Sequence, residues 1–497
     1  MTFLVSVTRK RDCLVVAVLF ILCGCFLLVL RFYGLTIPCP WPPDEIVYTQ
    51  PAENLANGKG MGAPVCDDLL PGIAKRAYLQ VPVYFLAVSL WGRTFGFELG
   101  ALRAFNQCLG VLGLILLFVL ARRWGLQPAW ALLAVHWTAL DIAYQLNSNI
   151  ARMDALCLIF TLAMLLTFTE GWERSDNRWF LLAGLLGALA ILTHLLAVPV
   201  VGLLALLLLM QHRWKGLTLF GLPILIGLVL WVSYGAQDWS SFIAQLRATF
   251  QRKAERTALQ FFAHALMLGG LGNIFALCPS NMPPWISVFG ATALMVKRGV
   301  FSLQRWKWLA LFIAYLTAAL NAEMWYLGWF TPFGYLLTVA FLFSLIRLQP
   351  MRRTQRVLAV LIALWTMFQS LQVARCLLAV PPLQRTYQQF YAQLERQLPP
   401  EGMVVLFCAP DPYFHLRQTR PDLRLYELLP LRMQKTALQR LMDHADAFVF
   451  VVWGWAIERD ITHFPKHQVQ WRTYPMPTAV ATYRVAIGIR QGKARRR

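Results

Sequence analysis

Long apolar runs joined by short basic connections set the pattern of this chain. The first run, CLVVAVLFILCGCFLLVL, follows Arg9, Lys10 and Arg11. It is too long for the core of a signal peptide, and no small-residue cleavage site follows it. It predicts a first transmembrane helix with a cytoplasmic N-terminus. A bilayer core about 30 Å thick needs roughly 20 apolar residues per helix. On that ruler ten further spans are expected, centred near Leu112, Leu133, Leu162, Gly187, Leu206, Ile226, Ala291, Ile313, Leu337 and Leu364. VPVYFLAVSLWG, from Val81 to Gly92, is apolar but too short to span.

Positive charge orients these runs. If Val81 to Gly92 stays outside, the cytoplasmic loops are ARRWG, WERSDNRW, QHRWKG, VKRGVFSLQRWKW and RLQPMRRTQR, all basic. The expected fold class is a polytopic α-helical membrane protein of about 11 transmembrane helices with an outer C-terminus. Two larger outer segments interrupt the spans, one over 33–103 and one from about Gln237 to Met282. The second contains SSFIAQLRATFQRKAERTALQFFAHAL, which reads as an amphipathic helix in the headgroup plane.

Past about Pro381 the pattern changes. TYQQFYAQLERQL and PLRMQKTALQRLMDHADA are helix-like, whereas MVVLFC, AFVFVVWGW and TYRVAIGIR are strand-like. The chain therefore divides into a transmembrane domain over 1–378 and a C-terminal soluble α/β domain over 379–497.

Composition supports the membrane reading, with 58% hydrophobic and 14% charged residues and a mean hydropathy of +0.53. The net charge of +22 comes largely from basic pairs between apolar runs. No basic stripe with interleaved aromatics points to nucleic acid, so membrane lipids are the expected surroundings. Ten cysteines in 497 residues do not make a disulfide scaffold. Cys39 and Cys66 flank the first outer carboxylates, and a bridge between them is left open. Metal, serine-hydrolase and nucleotide motifs are missing. No cofactor is assigned, and a divalent metal ion is left open.

Candidate chemistry gathers at the outer boundary. WPPDEIVY carries Asp44 and Glu45 shortly after the first span. Arg152, in NSNIARMDAL, is the lone cation of the short outer loops. With Asp154 two residues on, it is either half of an ion pair or an anion site. Other outer connections add Lys75 and Arg76 in PGIAKRAYLQVPVYF, His194 in LTHLLAVP, and Glu323 and Tyr326 in NAEMWYLGWFTP. Lys75 and Arg76 also suit headgroup anchors, and His194 a packed helix end. One carboxylate pair among several cations fits a reaction that deprotonates one partner and stabilises an anionic leaving group on the other.

WPPDEIVYTQPAENLANGKGM, VPVYFLAVSLWGRTFG, LRAFNQCLGVLG, ARMDAL and WYLGWFTP together resemble membrane glycosyltransferases of the GT-C fold. The similar group is that of the protein O-mannosyltransferases and the lipid A aminoarabinose transferase, family 39-like. The resemblance implies transfer of a hexose or pentose from a polyprenyl-phosphate donor to a lipid, glycan or protein acceptor on the outer face, with inversion at the anomeric carbon. It implies Asp44 as general base, with Glu45 orienting it. Lys75, Arg76, Arg152, His194 and Tyr326 would bind the donor phosphate, while Asp154 and Glu323 would serve as structural or orienting groups. Two positions depart from the pattern: Gln80, Val81 and Pro82 stand where relatives carry Lys-Pro-Pro, and His194 stands where they carry Lys. The resemblance and the lack of any Asn-x-Ser/Thr sequon fit a bacterial inner membrane with a periplasmic C-terminus. The alternative is a transporter or flippase of a lipid-linked anionic sugar, which predicts midplane charges and inverted repeats.

Overall fold

The structure is a computed structural model that describes residues 10–34, 44–254, 306–320, 327–348, 352–408, 411–429, 434–451, 469–477 and 482–490. The apolar runs form helices α1 (Lys10–Tyr33), α4 (Leu99–Arg123), α5 (Pro128–Leu140), α7 (Asp154–Arg174), α8 (Asn177–Ile191), α9 (Val198–Met210), α10 (Trp214–Ala236), α12 (Trp306–Leu320), α13 (Leu327–Leu348) and α14 (Arg352–Gln397). Among the described residues, five helices are long and apolar enough to cross a membrane, and three shorter apolar helices accompany them. Large side chains such as Leu28, Leu225, Leu230 and Leu371 face outward, as lipid-facing positions require. The chain is an integral membrane protein. Every expected span centre falls in a helix except Ala291, which lies outside the described residues.

Close packing of α8 on α10 depends on Gly184, where an added Cβ would collide with the Phe220 carbonyl. The span around Leu133 is not one continuous helix. It breaks at Asp141, which starts α6 (Ile142–Asn149) by accepting hydrogen bonds from the N–H groups of Ala143 and Tyr144. Its other oxygen accepts from the Tyr335 hydroxyl at 2.9 Å. A helix break at this depth is tolerated because its backbone and capping groups are satisfied within the protein.

The segment between α1 and α4 is folded over its described residues. It contains α2 (Asp44–Ala56), a turn at Pro64–Cys66 and α3 (Val83–Phe95). Its loop closes through backbone bonds from Ala63 to Ile73 and from Ala77 to Met61. Gly62 sits so close to Ala74 that a Cβ there would overlap its carbonyl. The expected amphipathic helix is described as α11 (Trp239–Ala254). Its Gln245 is buried and clamps the loop, donating to the carbonyls of Pro71 and Arg76 and accepting from the Tyr78 N–H. That face packs on protein, where one amide satisfies three loop backbone groups.

Helix α14 runs through Pro381 and Pro382, across the position where the sequence pattern changes. Beyond it lie β1 (Gly402–Phe407), α15 (Tyr413–Thr419), β2 (Leu423–Glu427), α16 (Lys435–His444), β3 (Ala447–Val451), β4 (Val469–Pro477) and β5 (Thr482–Arg490). The sheet has order β2-β1-β3-β5-β4, with β1 parallel to β2 and β3, and β5 antiparallel to β3 and β4. One apolar cluster fills the helical body. A second joins the segment between α1 and α4, the end of α14 and the sheet, through Ile46, Val65, Leu69, Leu394, Val405 and Phe448 among others.

Candidate active site

Helix α2 starts with Asp44 and Glu45, both in its first turn, where the positive end of the helix dipole favours carboxylates. Glu45 is buried. Both of its oxygens accept from the Arg103 guanidinium on α4, at 2.9 and 2.7 Å, and one also accepts from the Ala151 N–H at 3.0 Å. This is the two-pronged arginine–carboxylate geometry, the strongest of the side-chain ion pairs. Arg103 spends a further N–H on the Gly34 carbonyl. Glu45 thus ties α2, α4 and the turn before α7 together.

That turn carries Arg152. Its backbone is pinned from α4 by the Asn106 side chain, which donates to the carbonyls of Ile150 and Arg152 and accepts from the Tyr84 hydroxyl. The Arg152 guanidinium donates to Asp154 at 2.9 Å and to Asp44, and it lies 5.4 Å from the Tyr48 ring centre. The ion pair that the Arg-x-Asp spacing allows is therefore present, and Asp44 joins it. Of the three carboxylates here Asp44 is the most accessible, at 13% of its side chain against 4% for Glu45 and 0% for Asp154.

Among the described residues three carboxylates face two guanidinium groups, which gives the cluster no surplus of positive charge for an anion. An incoming phosphate needs cations from elsewhere. Of the other candidates, Lys75 is exposed, and the Arg76 guanidinium lies over the Tyr234 ring of α10 at 5.8 Å. His194 begins the short turn Leu195–Ala197, its Nδ1 accepting from the Leu196 N–H at 3.0 Å. In that arrangement Nδ1 carries no proton, and only Nε2 can donate. Glu323, Tyr326 and Cys39 lie outside the described residues.

Four residues that hold the site were not singled out from the sequence: Arg103, Asn106, Tyr84 and Tyr48. The signal for the first two was in LRAFNQ, where Arg103, Asn106 and Gln107 fall at spacings of three and four in a run that is otherwise apolar. Each of the three carboxylates is engaged by an arginine, and among the described residues no group of three or more His, Cys, Asp or Glu could hold a metal ion.

Residues 80–234 match the family model for dolichyl-phosphate-mannose-protein mannosyltransferase. A protein of Aquifex aeolicus (strain VF5), described as uncharacterized, is 28% identical over 166 residues, or 33% of this chain. The matched stretch spans only 32% of that relative. Among solved structures, ArnT from Cupriavidus metallidurans bound to undecaprenyl phosphate superposes with a TM-score of 0.54 at 14% identity, covering 94% of this chain and 97% of ArnT. An Archaeoglobus fulgidus oligosaccharyltransferase tethered to an acceptor peptide gives 0.50 at 12% identity, covering 87% of this chain and 69% of its own. The chain is thus built on the GT-C glycosyltransferase fold, with the mannosyltransferase family's pattern over residues 80–234.

Proposed function

We propose that this protein transfers a sugar from a polyprenyl-phosphate donor to a hydroxyl-bearing lipid, glycan or protein acceptor on the outer face of a bacterial inner membrane. The observation that carries the reading is the Asp44 carboxylate, partly open, fixed by Arg152 and seated beside the buried Glu45–Arg103 pair. Support also comes from a GT-C neighbour of matching length that binds undecaprenyl phosphate.

In the proposed reaction the acceptor hydroxyl gives its proton to Asp44 as its oxygen attacks the anomeric carbon. The bond from that carbon to the phosphate oxygen breaks, and the configuration inverts. A lipid phosphate leaves as a stable anion, so positive charge serves in place of the acid that a glycosidase requires. Arg152 orients Asp44 and meets the phosphate at its edge. Lys75, Arg76, His194 and Tyr326 complete the phosphate site, with His194 donating through Nε2. Asp154 and Glu45 orient the two arginines, and Glu323 has a structural or orienting role. Residues 1–378 form the transferase domain, and residues 379–497 form a periplasmic domain.

Reconstituted protein incubated with radiolabelled polyprenyl-phosphate sugars and candidate acceptors tests the activity. Labelled product from one donor and acceptor pair supports it, and transfer from a nucleotide sugar alone contradicts it. For orientation, a reporter active only in the periplasm is expected to respond when fused after Met61 and to stay silent after Arg123. The reverse result overturns the outer placement of the site.

A further inference from the structure

Helix α2 is held at both ends by different parts of the chain. Its first turn is locked to the membrane helices through Glu45 and Arg103. Its far end meets the C-terminal domain. There Arg417 of α15 makes a two-pronged ion pair with Glu53, and the Gln50 amide lies 3.4 Å from the Tyr413 hydroxyl.

The contact continues beneath these pairs. The Gln434 N–H donates to the Leu69 carbonyl at 3.0 Å, and the two segments share one apolar core. Asp411, just before α15, is near enough to feel the charges of Glu45 and Arg103. A domain that merely followed the last span would need none of these contacts.

We propose that the C-terminal domain is a positioning element for the active site: Arg417 and Tyr413 grip the far end of helix α2 and thereby fix the place of Asp44 at its start. The geometry favours this because α2 is only 13 residues long, about 20 Å at 1.5 Å per residue. Glu45 and Glu53 are about two turns apart, so a tilt at Glu53 reaches the first turn through one short helix that carries Pro51 in its interior, and small displacements of a catalytic group cost rate steeply. Arg417 is then a positioning residue that acts through Glu53 and never touches substrate.

The inference rests on the transferase reading only for its kinetic consequence, so its test has two arms on the full-length protein in lipid nanodiscs. In Arg417→Glu, amide hydrogen exchange over residues 44–56 is expected to rise about tenfold, with exchange over 99–123 unchanged. The charge-swapped pair Glu53→Arg with Arg417→Glu should restore protection. In the kinetic arm, with whichever radiolabelled polyprenyl-phosphate sugar the native protein turns over, Arg417→Glu should lower kcat about tenfold with KM for the donor unchanged, and the swap should recover it. Unchanged exchange in a folded Arg417→Glu protein overturns the grip, as does a loosened α2 with native kcat. If the native protein turns over no such donor, the transferase reading fails, while the exchange arm still decides whether the domain holds α2.

Discussion

Helices α4 and α7 carry ion pairs at both of their ends, and the two clusters differ in depth. At the end near Asp44, Arg103 pairs with Glu45, and Arg152 pairs with Asp44 and Asp154, with both arginine side chains only 3% exposed. At the opposite end, Arg123 pairs with Glu170 and Glu173, Arg174 with Glu170, and Lys307 with Glu173. There the exposure reaches 56% at Arg174 and 32% at Glu173. Solvent screens the exposed pairs of the second cluster, which contribute about 0–1 kcal/mol each, while Lys307 there is itself buried. Burial of the first makes each partner indispensable to the other, because a lone buried charge costs several kcal/mol. The screened cluster ties helix ends together, whereas the buried one is too costly to keep for stability alone. A hydrophobic isostere would hold the helices as well, and the ionic version also holds one accessible carboxylate in a set direction.

Breaking the buried cluster should have the largest effect. Arg103→Ala strands Glu45 and is expected to lower stability by about 3–5 kcal/mol, read as a fall in the thermal midpoint of the purified protein. Replacing both partners, Glu45→Leu with Arg103→Met, should recover much of that stability while leaving turnover impaired. A stable double variant with native turnover would reduce this pair to packing.

Arg152→Ala removes the shared cation of Asp44 and Asp154, with an expected loss of about 3 kcal/mol. Arg152→Lys keeps the charge but not the fork that bridges two carboxylates, and should lie between the two in stability with turnover reduced about tenfold. Donor affinity per folded molecule separates the roles of Arg152. A fall in affinity places the phosphate on it, and unchanged affinity leaves it as the holder of Asp44.

The C-terminal domain has a buried acid of another kind. Glu427 is wholly buried and faces the Asp411 carboxyl. Burial and the nearby Asp411 raise its carboxyl well above the ordinary range, and burial pushes the largely buried Asp411 up to about 7. The folded chain therefore holds protons that the unfolded chain releases from about pH 4 upward. Stability should fall as pH rises through that interval, by at most about 1.4 kcal/mol per pH unit for each proton. Glu427→Gln should flatten the dependence in a series of thermal unfolding curves. A slope unchanged by that substitution would assign the dependence to other groups.

The smallest effect belongs to the exposed cluster. Arg174→Gln, at the most exposed pair, should change stability by no more than about 1 kcal/mol and leave turnover alone. A loss there comparable to that of Arg103→Ala would erase the contrast between the two ends.

Apolar runs made the membrane helices legible, since length and composition suffice to recognise a span, and TYRVAIGIR is a strand over the same residues in the structure. The break at Asp141 was not legible, because a cap buried among helices leaves no mark on hydrophobic periodicity. Strand β2 was missed because LRLYE is short and polar, and β4 because it carries Arg472 and two prolines. At the site, Asp44, Glu45, Arg152 and Asp154 were readable as ionisable groups placed at one boundary. That Glu45 belongs to Arg103 and Asp44 to Arg152 was not, since these partners lie 58 and 108 residues apart. Only the packing of α2 against α4 and the turn before α7 brings them together.

Turnover of Asp44→Asn by the reconstituted protein, with a verified polyprenyl-phosphate donor and acceptor at saturation, tests the central claim most directly. The amide keeps the shape of the side chain and removes its basicity, so turnover should fall about a hundredfold or more with donor binding nearly intact. Glu45→Gln, which weakens the bond to Arg103 but leaves Asp44 as it is, should cost less per folded molecule. Near-native turnover in folded Asp44→Asn would contradict the account and leave the Asp44–Arg152 pair a structural contact.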